Sequence, residues 1–128
     1  MNLLLDTHVA LWAITDDPRL PSDARERIQS PKTTVWISAA TLWEIAITFS
    51  LGWGDMPISS HDALRYFQDS GYRFLPIDAE HTIAMETLLP HHQDPFDRIL
   101  VAQALTEPMR LMTHDKTVAR YSDTIILI

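Results

Sequence analysis

Residues 2–8 read Asn-Leu-Leu-Leu-Asp-Thr-His, a short apolar run that ends at an acidic residue. The run Asn2–Leu5 predicts a buried β-strand, and Asp6 followed by Thr7 predicts the start of a helix that continues to about Ile14. In a parallel sheet, this carboxylate faces the crevice beyond the carboxyl ends of the strands, where open α/β sheets bind ligands. Asp6 is therefore both a candidate helix N-cap and a candidate ligand.

The rest of the chain alternates short apolar runs with amphipathic segments, which is typical of α/β proteins with a parallel sheet. Further strands are predicted at residues 35–37, 73–77, 111–113 and 125–128. Further helices are predicted at residues 22–29, 39–49, 60–70, 79–88, 95–105 and 116–121. The helix at 39–49 is apolar on nearly all sides, which predicts that it is buried. Trp36 and Trp43 are predicted core residues, whereas Trp53, between two glycines, is predicted to be exposed.

Composition limits the class of protein. With 128 residues, 46% of them hydrophobic, we expect one domain covering residues 1–128. The absence of cysteine excludes disulfides and thiolate metal sites and fits the reducing cytoplasm, where we expect the protein to act. Residues 1–6 lack the basic start of a secretory signal. Residues 35–53 are nearly uncharged, but Glu44 lies at their centre and a carboxylate at mid-bilayer is costly, so we expect no membrane span.

The net charge is −7, whereas a protein that coats nucleic acid is normally basic. This is a weak argument, because four of the acids form the candidate cluster described next. A nucleic-acid enzyme can carry its negative charge in a metal site. The net charge therefore argues only weakly against a general nucleic-acid coat, and it does not exclude a nuclease.

Glu44 is the least expected of these acids. It lies inside the apolar helix predicted at 39–49, and its neighbours one turn away carry no charge. A buried, unpaired carboxylate needs a cation or takes up a proton through a raised pKa. A metal ion satisfies Glu44, and a buried ion pair with an arginine is the alternative.

Two more acids lie near the starts of predicted helices. Asp94 followed by Pro95 predicts a helix start with Asp94 as the cap, which places Asp97 in the first turn, where the helix dipole favours negative charge. Asp115 follows the strand predicted at 111–113 and is a candidate cap for the next helix. A position at or near a helix start would explain each acid on its own. Together with Asp6, however, these acids indicate a shared site.

The carboxyl ends of parallel strands meet at one edge of a sheet, so these acids are expected to converge. Oxygen ligands without cysteine suit a hard divalent cation such as Mg²⁺ or Mn²⁺. Two carboxylates about 5 Å apart repel by roughly 3 kcal/mol at an effective dielectric of about 20, so such a cation should also stabilise the fold. The acids therefore predict metal-dependent phosphodiester cleavage.

Four segments together resemble the PIN-domain ribonucleases, in particular the VapC-type toxins of bacterial and archaeal toxin–antitoxin pairs. The segments are Leu-Leu-Asp-Thr-His at 4–8, Ser-Ala-Ala-Thr-Leu-Trp-Glu-Ile at 38–45, Asp-Pro-Phe-Asp-Arg-Ile-Leu-Val-Ala-Gln-Ala at 94–104 and Leu-Met-Thr-His-Asp at 111–115. Any one of them is a weak signal, but the four in this order and at these separations are a strong one. The match covers nearly the whole chain.

The resemblance implies a PIN-like three-layer α/β fold with a five-stranded parallel sheet flanked by helices. It implies a cation, Mg²⁺ or Mn²⁺, an RNA substrate, a homodimer and inhibition by a small antitoxin protein. The acidic quartet of the family falls on Asp6, Glu44, Asp97 and Asp115. Thr113 matches a small hydroxylic residue near the last acid. Asp94 lies outside the quartet, so we interpret it as a helix cap or a residue behind the ligands.

We expect Asp6 and Asp97 to bind the cation directly, and Glu44 and Asp115 to complete its shell directly or through water. Hydrolysis by water would leave a 5′-phosphate and a 3′-hydroxyl. Candidate substrate contacts are Thr7, Arg98, Thr113 and Lys116, although solvated first-turn positions are the simpler interpretation of Arg98 and Lys116. His8 is a further possible contact, with a packed or capping role as its alternative. The adjacent His91 and His92 are predicted to face solvent, because neighbouring loop residues seldom both point at one ion.

Two other functions remain open at this stage. A phosphatase or phosphotransferase could use Asp6 as nucleophile, but that chemistry commonly needs a second aspartate two residues on, where this chain has His8. A non-catalytic binding module could use the acids as caps with a cation that only stabilises the fold. The sequence names neither the RNA nor the antitoxin, and it leaves open whether one metal or two is used.

Overall fold

The computed structural model describes all 128 residues and contains one five-stranded, all-parallel sheet with seven α-helices around it. The strands are β1 Asn2–Leu5, β2 Thr34–Ser38, β3 Arg73–Leu75, β4 Arg110–Thr113 and β5 Ile126–Leu127. The helices are α1 Thr7–Thr15, α2 Ser22–Gln29, α3 Ala39–Leu51, α4 Ser60–Asp69, α5 Ala79–Ala84, α6 Pro95–Thr106 and α7 Lys116–Ala119. A single 3₁₀ turn, Met85–Thr87, follows α5. The α/β class and the parallel five-stranded sheet predicted from the sequence are confirmed.

The central strand β1 is buried on both faces. Leu3 and Leu5 pack with Val9 of α1 in one hydrophobic cluster, whereas Leu4 packs with Leu100 of α6 in a second cluster. The three leucines of the strand are fully buried. This explains why the strand is a continuous apolar run, since a parallel strand covered on both sides needs no alternation of apolar and polar residues.

The strand order places a ligand crevice beside β1. The order across the sheet is β3-β2-β1-β4-β5, so the chain moves outward from β1 on one side and returns to build the other side from β4. Open α/β sheets bind ligands outside the carboxyl ends of their strands where the order reverses in this way. Asp6 follows β1 directly and Asp115 lies two residues beyond β4, so both acids reach this point.

Several of the predicted strands and helices are longer than the observed ones. The strand predicted at 73–77 ends at Leu75, because Pro76 has no N–H for the sheet. The helix predicted at 79–88 ends at Ala84 and continues as the 3₁₀ turn. The helix predicted at 116–121 ends at Ala119, and the last strand contains two residues instead of four.

The prediction that α3 is buried all round is wrong. Ala40, Thr41 and Ile45 are buried, but Trp43 is 58% exposed and is not a core residue. Its ring packs edge-to-face on Phe96 of α6 at a centroid distance of 5.2 Å. The helix therefore buries one face and leaves apolar side chains outside, which its composition alone does not reveal. Trp36 is partly buried, and the predicted exposure of Trp53, at 62%, is confirmed. None of the helices combines the length and hydropathy that a bilayer span requires.

Candidate metal centre

Asp6 caps α1 and is nearly enclosed. Its Oδ1 accepts a hydrogen bond from the backbone N–H of Val9 at 2.9 Å, and its Oδ2 accepts one from the hydroxyl of Thr113. Burial raises the pKa of Asp6 above its usual range, although the hydrogen bonds from Thr113 and Val9 oppose this rise. A carboxylate has about four lone-pair positions, so capping leaves Asp6 able to accept a cation as well.

Asp115 caps α7 in the same manner. Its Oδ1 accepts hydrogen bonds from the backbone N–H groups of Thr117 and Val118 at 2.7 and 3.2 Å. Burial acts to raise the pKa of Asp115, but the hydrogen bond from His92 and the two backbone bonds outweigh it and lower the pKa. Asp115 is therefore ionised at neutral pH.

Thr113 joins these two acids. Its hydroxyl accepts a hydrogen bond from the backbone N–H of Asp115 at 3.0 Å and donates to Oδ2 of Asp6. The residue is completely buried. This arrangement favours a role in positioning Asp6 and Asp115 over the substrate contact that we predicted for Thr113.

Asp97 lies in the first turn of α6, as predicted. Asp94 is the N-cap, since its Oδ1 accepts a hydrogen bond from the backbone N–H of Phe96 at 2.8 Å. The carboxylate of Asp97 accepts no hydrogen bond from the protein, and its Oδ2 lies 3.3 Å from Nε2 of His92. Burial, together with the negative charges of Asp94 and Asp6, raises the pKa of Asp97 to about 7. A nearby cation would therefore favour the ionised form of Asp97.

Glu44 is half-buried and is not paired with an arginine. Its Oε1 accepts a hydrogen bond from the hydroxyl of Thr7 at 2.7 Å. Burial raises the pKa of Glu44, the bond from Thr7 opposes this, and the charges of Asp94 and Asp6 raise it further. Glu44 thus lies within electrostatic reach of the other acids, and Thr7 holds it in place.

The acids divide between two neighbouring cavities. Asp6, Asp97 and Asp115 line one cavity of about 380 Å³. Glu44 lines an adjacent groove of about 680 Å³, and His8 borders both spaces. The structure therefore brings three of the four predicted acids onto one cavity and places the fourth beside it.

His92 is the residue that sequence reasoning missed. The prediction that it faces solvent is wrong, because its Nε2 lies 3.0 Å from Oδ2 of Asp115 and 3.3 Å from Oδ2 of Asp97. One ligand atom from each of these three residues lies within 4.8 Å of the others. His91 is also half-buried, with its ring packed against Tyr121.

The hydrogen bonds of His92 define its tautomer. Its Nδ1 accepts a hydrogen bond from the backbone N–H of Asp94 at 3.0 Å, so this nitrogen carries no proton. The neutral ring must then carry its proton on Nε2 and donate it to Oδ2 of Asp115. A metal bound at Nε2 would need that proton on Nδ1, facing the N–H of Asp94. His92 therefore fits an orienting donor better than a metal ligand.

Arg98 and Tyr121 hold the loop that carries His92. The guanidinium of Arg98 donates to the backbone carbonyls of Met85, Leu89 and His92 and to the hydroxyl of Tyr121, at 3.0–3.3 Å. The Tyr121 hydroxyl also accepts from the backbone N–H of His92 at 2.9 Å. The solvated position that we favoured for Arg98 is wrong.

The other predicted substrate contacts, Thr7 and Lys116, differ in exposure. Thr7 is buried and uses its hydroxyl on Glu44, whereas Lys116 is exposed at the start of α7. With Arg98 also engaged within the protein, Lys116 is the one predicted phosphate contact whose side chain is freely exposed. These roles stay predictions.

The donor set fits a hard divalent cation. The cavity offers carboxylate oxygens and no thiolate, which is the ligand chemistry of Mg²⁺ and Mn²⁺. Burial and the charges of Asp94 and Asp6 raise the pKa of Asp97, and a cation in the cavity would oppose this rise. A second group, Asp78, His81 and Glu107, fits less well. Both ring nitrogens of its buried histidine already have partners, the Asp78 N–H at 3.1 Å and the Glu107 carboxylate at 2.7 Å.

A comparison with protein-family models identifies the family of this chain, and the match covers almost the whole chain. The family model described as "PIN domain" matches residues 3–123. The chain is a PIN domain. The resemblance inferred from the sequence is thereby confirmed at the level of the family, whose members are generally nucleases. No curated protein matches this PIN domain by sequence.

Solved structures show the same fold. VapBC2 from Rickettsia felis, bound to a DNA fragment from its promoter, matches with a TM-score of 0.72 and 19% identity, covering 100% of this chain and 98% of that one. DNA-bound VapBC from Salmonella typhimurium matches at 0.70 and 18%, covering 100% and 97%. VapBC-1 from nontypeable Haemophilus influenzae matches at 0.67 and 15%, also covering 100% and 97%. At these identities the likeness concerns the fold of this PIN domain.

We expect His92→Ala to weaken Mn²⁺ binding by about 10- to 100-fold, the usual effect of losing a group that orients metal ligands. The reason is that Asp115 loses the N–H donor that orients its carboxylate. His92→Gln retains an N–H at a similar distance and should restore part of the affinity. Electron paramagnetic resonance of free Mn²⁺ measures the binding, and His61→Ala, at an exposed position of α4, is the matched control. If His92→Ala binds Mn²⁺ with unchanged affinity, the histidine is not needed to orient the metal-binding carboxylates.

Proposed function

We propose that this PIN domain is a metal-dependent endoribonuclease that hydrolyses RNA phosphodiester bonds and is the toxin of a toxin–antitoxin pair. The main support is the meeting of Asp6, Asp97 and Asp115 on one cavity at the point where the strand order reverses. An acid with a pKa near 7 in a polar cavity is typical of a functional site. The PIN family adds the nuclease class.

The acids have distinct tasks in this proposal. Asp6, Asp97 and Asp115 hold the cation, and Glu44 contributes directly or through water. When bound, Mg²⁺ or Mn²⁺ would polarise the scissile phosphate and lower the pKa of the attacking water. His92 fixes the carboxylate of Asp115, and Thr113 fixes Asp6 relative to the backbone of Asp115. Hydrogen bonds from the protein thus preorganise Asp6 and Asp115 for binding a cation.

The partners are part of the proposal. The similar structures from Rickettsia felis and Salmonella typhimurium are VapBC assemblies on DNA, which supports a cognate antitoxin for this chain. The exposed apolar side chains of α3 and the following loop, which include Trp43, Phe49, Leu51 and Trp53, offer a surface for a partner chain. We also propose a homodimer that acts in the cytoplasm, as the family resemblance implies.

The products of cleavage test the proposed chemistry. A mixed RNA pool incubated with the protein and Mn²⁺ should yield fragments with 5′-phosphate and 3′-hydroxyl ends, because water is the nucleophile. EDTA should stop the reaction, since it removes the cation that would polarise the phosphate and activate the water. Ligation-based sequencing of the ends is the measurement. Fragments that end in a 2′,3′-cyclic phosphate, or cleavage that persists in EDTA, would contradict the proposal.

A further inference from the structure

The cavity that holds Asp6, Asp97 and Asp115 has a second, chemically different side. Its other lining residues are His8, Trp12, Arg19 and His114, which we call the basic rim. None of the substrate contacts predicted from the sequence belongs to this set except His8, which was a secondary candidate. The cavity therefore offers acids on one side and nitrogen donors on the other.

Trp12 assembles the basic rim. The guanidinium carbon of Arg19 lies 5.2 Å from the centroid of the Trp12 ring, in the range of a cation–π contact. The ring of His114 packs on the same tryptophan edge-to-face at 5.3 Å, and the ring of His8 lies at 6.3 Å. Trp12 itself is buried, whereas His8, Arg19 and His114 are exposed. A single buried ring thus holds three exposed nitrogen-bearing side chains around the mouth of the acidic cavity.

The rim retains unused donors. Arg19 uses Nε and Nη2 on the carboxylate of Asp17, at 3.1 and 2.7 Å, and its Nη1 has no partner. His114 donates its Nδ1–H to the backbone carbonyl of Ile128 at 2.8 Å, so Nε2 of the neutral ring carries no proton and can only accept. The ring of His8 makes no hydrogen bond, so its N–H is unused. Asp17 therefore orients Arg19 without consuming all of its donors, and His8 adds a second free donor.

We propose that the basic rim binds the backbone phosphate next to the scissile one, with Arg19 and His8 as its main contacts. The proposal rests on the RNA-cleaving function proposed above. A polyanion that approaches a protein of net charge −7 at its acidic cluster needs local positive charge to hold it. Guanidinium and imidazole N–H groups are suitable donors to phosphate oxygens.

Binding to an inactive protein separates this proposal from catalysis. Fluorescence anisotropy of a labelled single-stranded RNA is measured with Asp97→Asn as the parent, in Mn²⁺, across a series of salt concentrations. Adding Arg19→Ala should weaken binding about 10-fold, the scale of a lost charged hydrogen bond. It should also reduce the slope of log affinity against log salt by about 0.7, the value for one phosphate contact on a single strand. His8→Ala should weaken binding in the same direction.

Lys32→Ala is the matched control. Lys32 is an exposed cation that precedes β2, at the edge of the sheet opposite the acids, so its loss changes net charge equally without touching the rim. We expect its affinity and salt slope to equal those of the parent. Arg19→Gln serves as a second rim variant, because it keeps the bulk of the side chain over Trp12.

Kinetics with otherwise wild-type protein provide the second measurement. Arg19→Ala and His8→Ala should raise KM for RNA more than they lower kcat, since they remove a contact made before and during reaction. If the protein cleaves RNA but the rim variants change neither the KM nor the salt slope, the basic rim does not bind phosphate and the proposed ribonuclease function still stands. If no variant binds or cleaves RNA, both proposals are wrong.

Discussion

Asp97→Asn is expected to reduce RNA cleavage by about 10³-fold or more, the scale on which enzymes lose rate when a charge-stabilising group is removed. Asparagine keeps the shape of the side chain and the first turn of α6 but carries no charge. Asp97 is also the acid whose carboxylate accepts no hydrogen bond from the protein, so no structural bond is lost. The initial rate on a mixed RNA pool in saturating Mn²⁺ is the measurement.

The control for this variant is Asp69→Asn. Asp69 is exposed at the end of α4 and makes no hydrogen bond or ion pair, so the same chemical change there should leave the rate unaffected. Asp97→Asn should moreover fold at least as stably as wild type in EDTA, because it removes a charge that its neighbours repel. Equal rates for wild type and Asp97→Asn would exclude Asp97 from the reaction.

Stability without metal is expected to fall as the pH rises from 5.5 to 8. The pKa of Asp97 is about 7 in the folded protein against 3.8 for the unperturbed side chain, so the folded state binds the extra proton in this range. Stability must therefore decrease as that proton leaves, by about 2 kcal/mol or roughly 7 °C in Tm between these two pH values. The lowered pKa of Asp115 adds no pH dependence to the stability in this range, since Asp115 is ionised in both the folded and the unfolded state.

A bound cation should reverse this loss. Mn²⁺ at 100 times its Kd should stabilise the protein by about 2.7 kcal/mol at pH 8, and by less at pH 5.5, where Asp97 is protonated. Thermal melts in EDTA and in Mn²⁺ at both pH values, for wild type and Asp97→Asn, are the measurement. The difference between the two proteins isolates the contribution of Asp97 from those of Asp6 and Glu44, whose pKa values are also raised. A wild-type protein whose pH dependence equals that of Asp97→Asn would contradict the assignment.

Much of the fold was predictable because local chemistry determines it. The leucines of β1, the caps Asp6, Ser38, Ser59, Asp94 and Asp115, and Pro95 at the start of α6 act within a few residues of the chain. Parallel pairing then brings the strand ends together. For that reason three of the acids could be expected on one cavity from the sequence alone.

The remaining features depend on distant contacts. The position of His92 depends on the hydroxyl of Tyr121, which is 29 residues further on, and on the guanidinium of Arg98. The rim depends on Trp12 lying between Arg19 and His114, which are 95 residues apart by their numbering. The exposure of Trp43 depends on which face of an apolar helix meets the core. No periodicity within one segment carries this information.

In our proposal Asp6, Asp97 and Asp115 hold one cation site at the carboxyl edge of the sheet. Anomalous diffraction from crystals grown with Mn²⁺, with data collected near the manganese edge, tests it most directly. We predict a peak in the cavity between these three carboxylates, absent in crystals of Asp97→Asn. A peak at Asp78, His81 and Glu107 with none among the three aspartates would contradict the account.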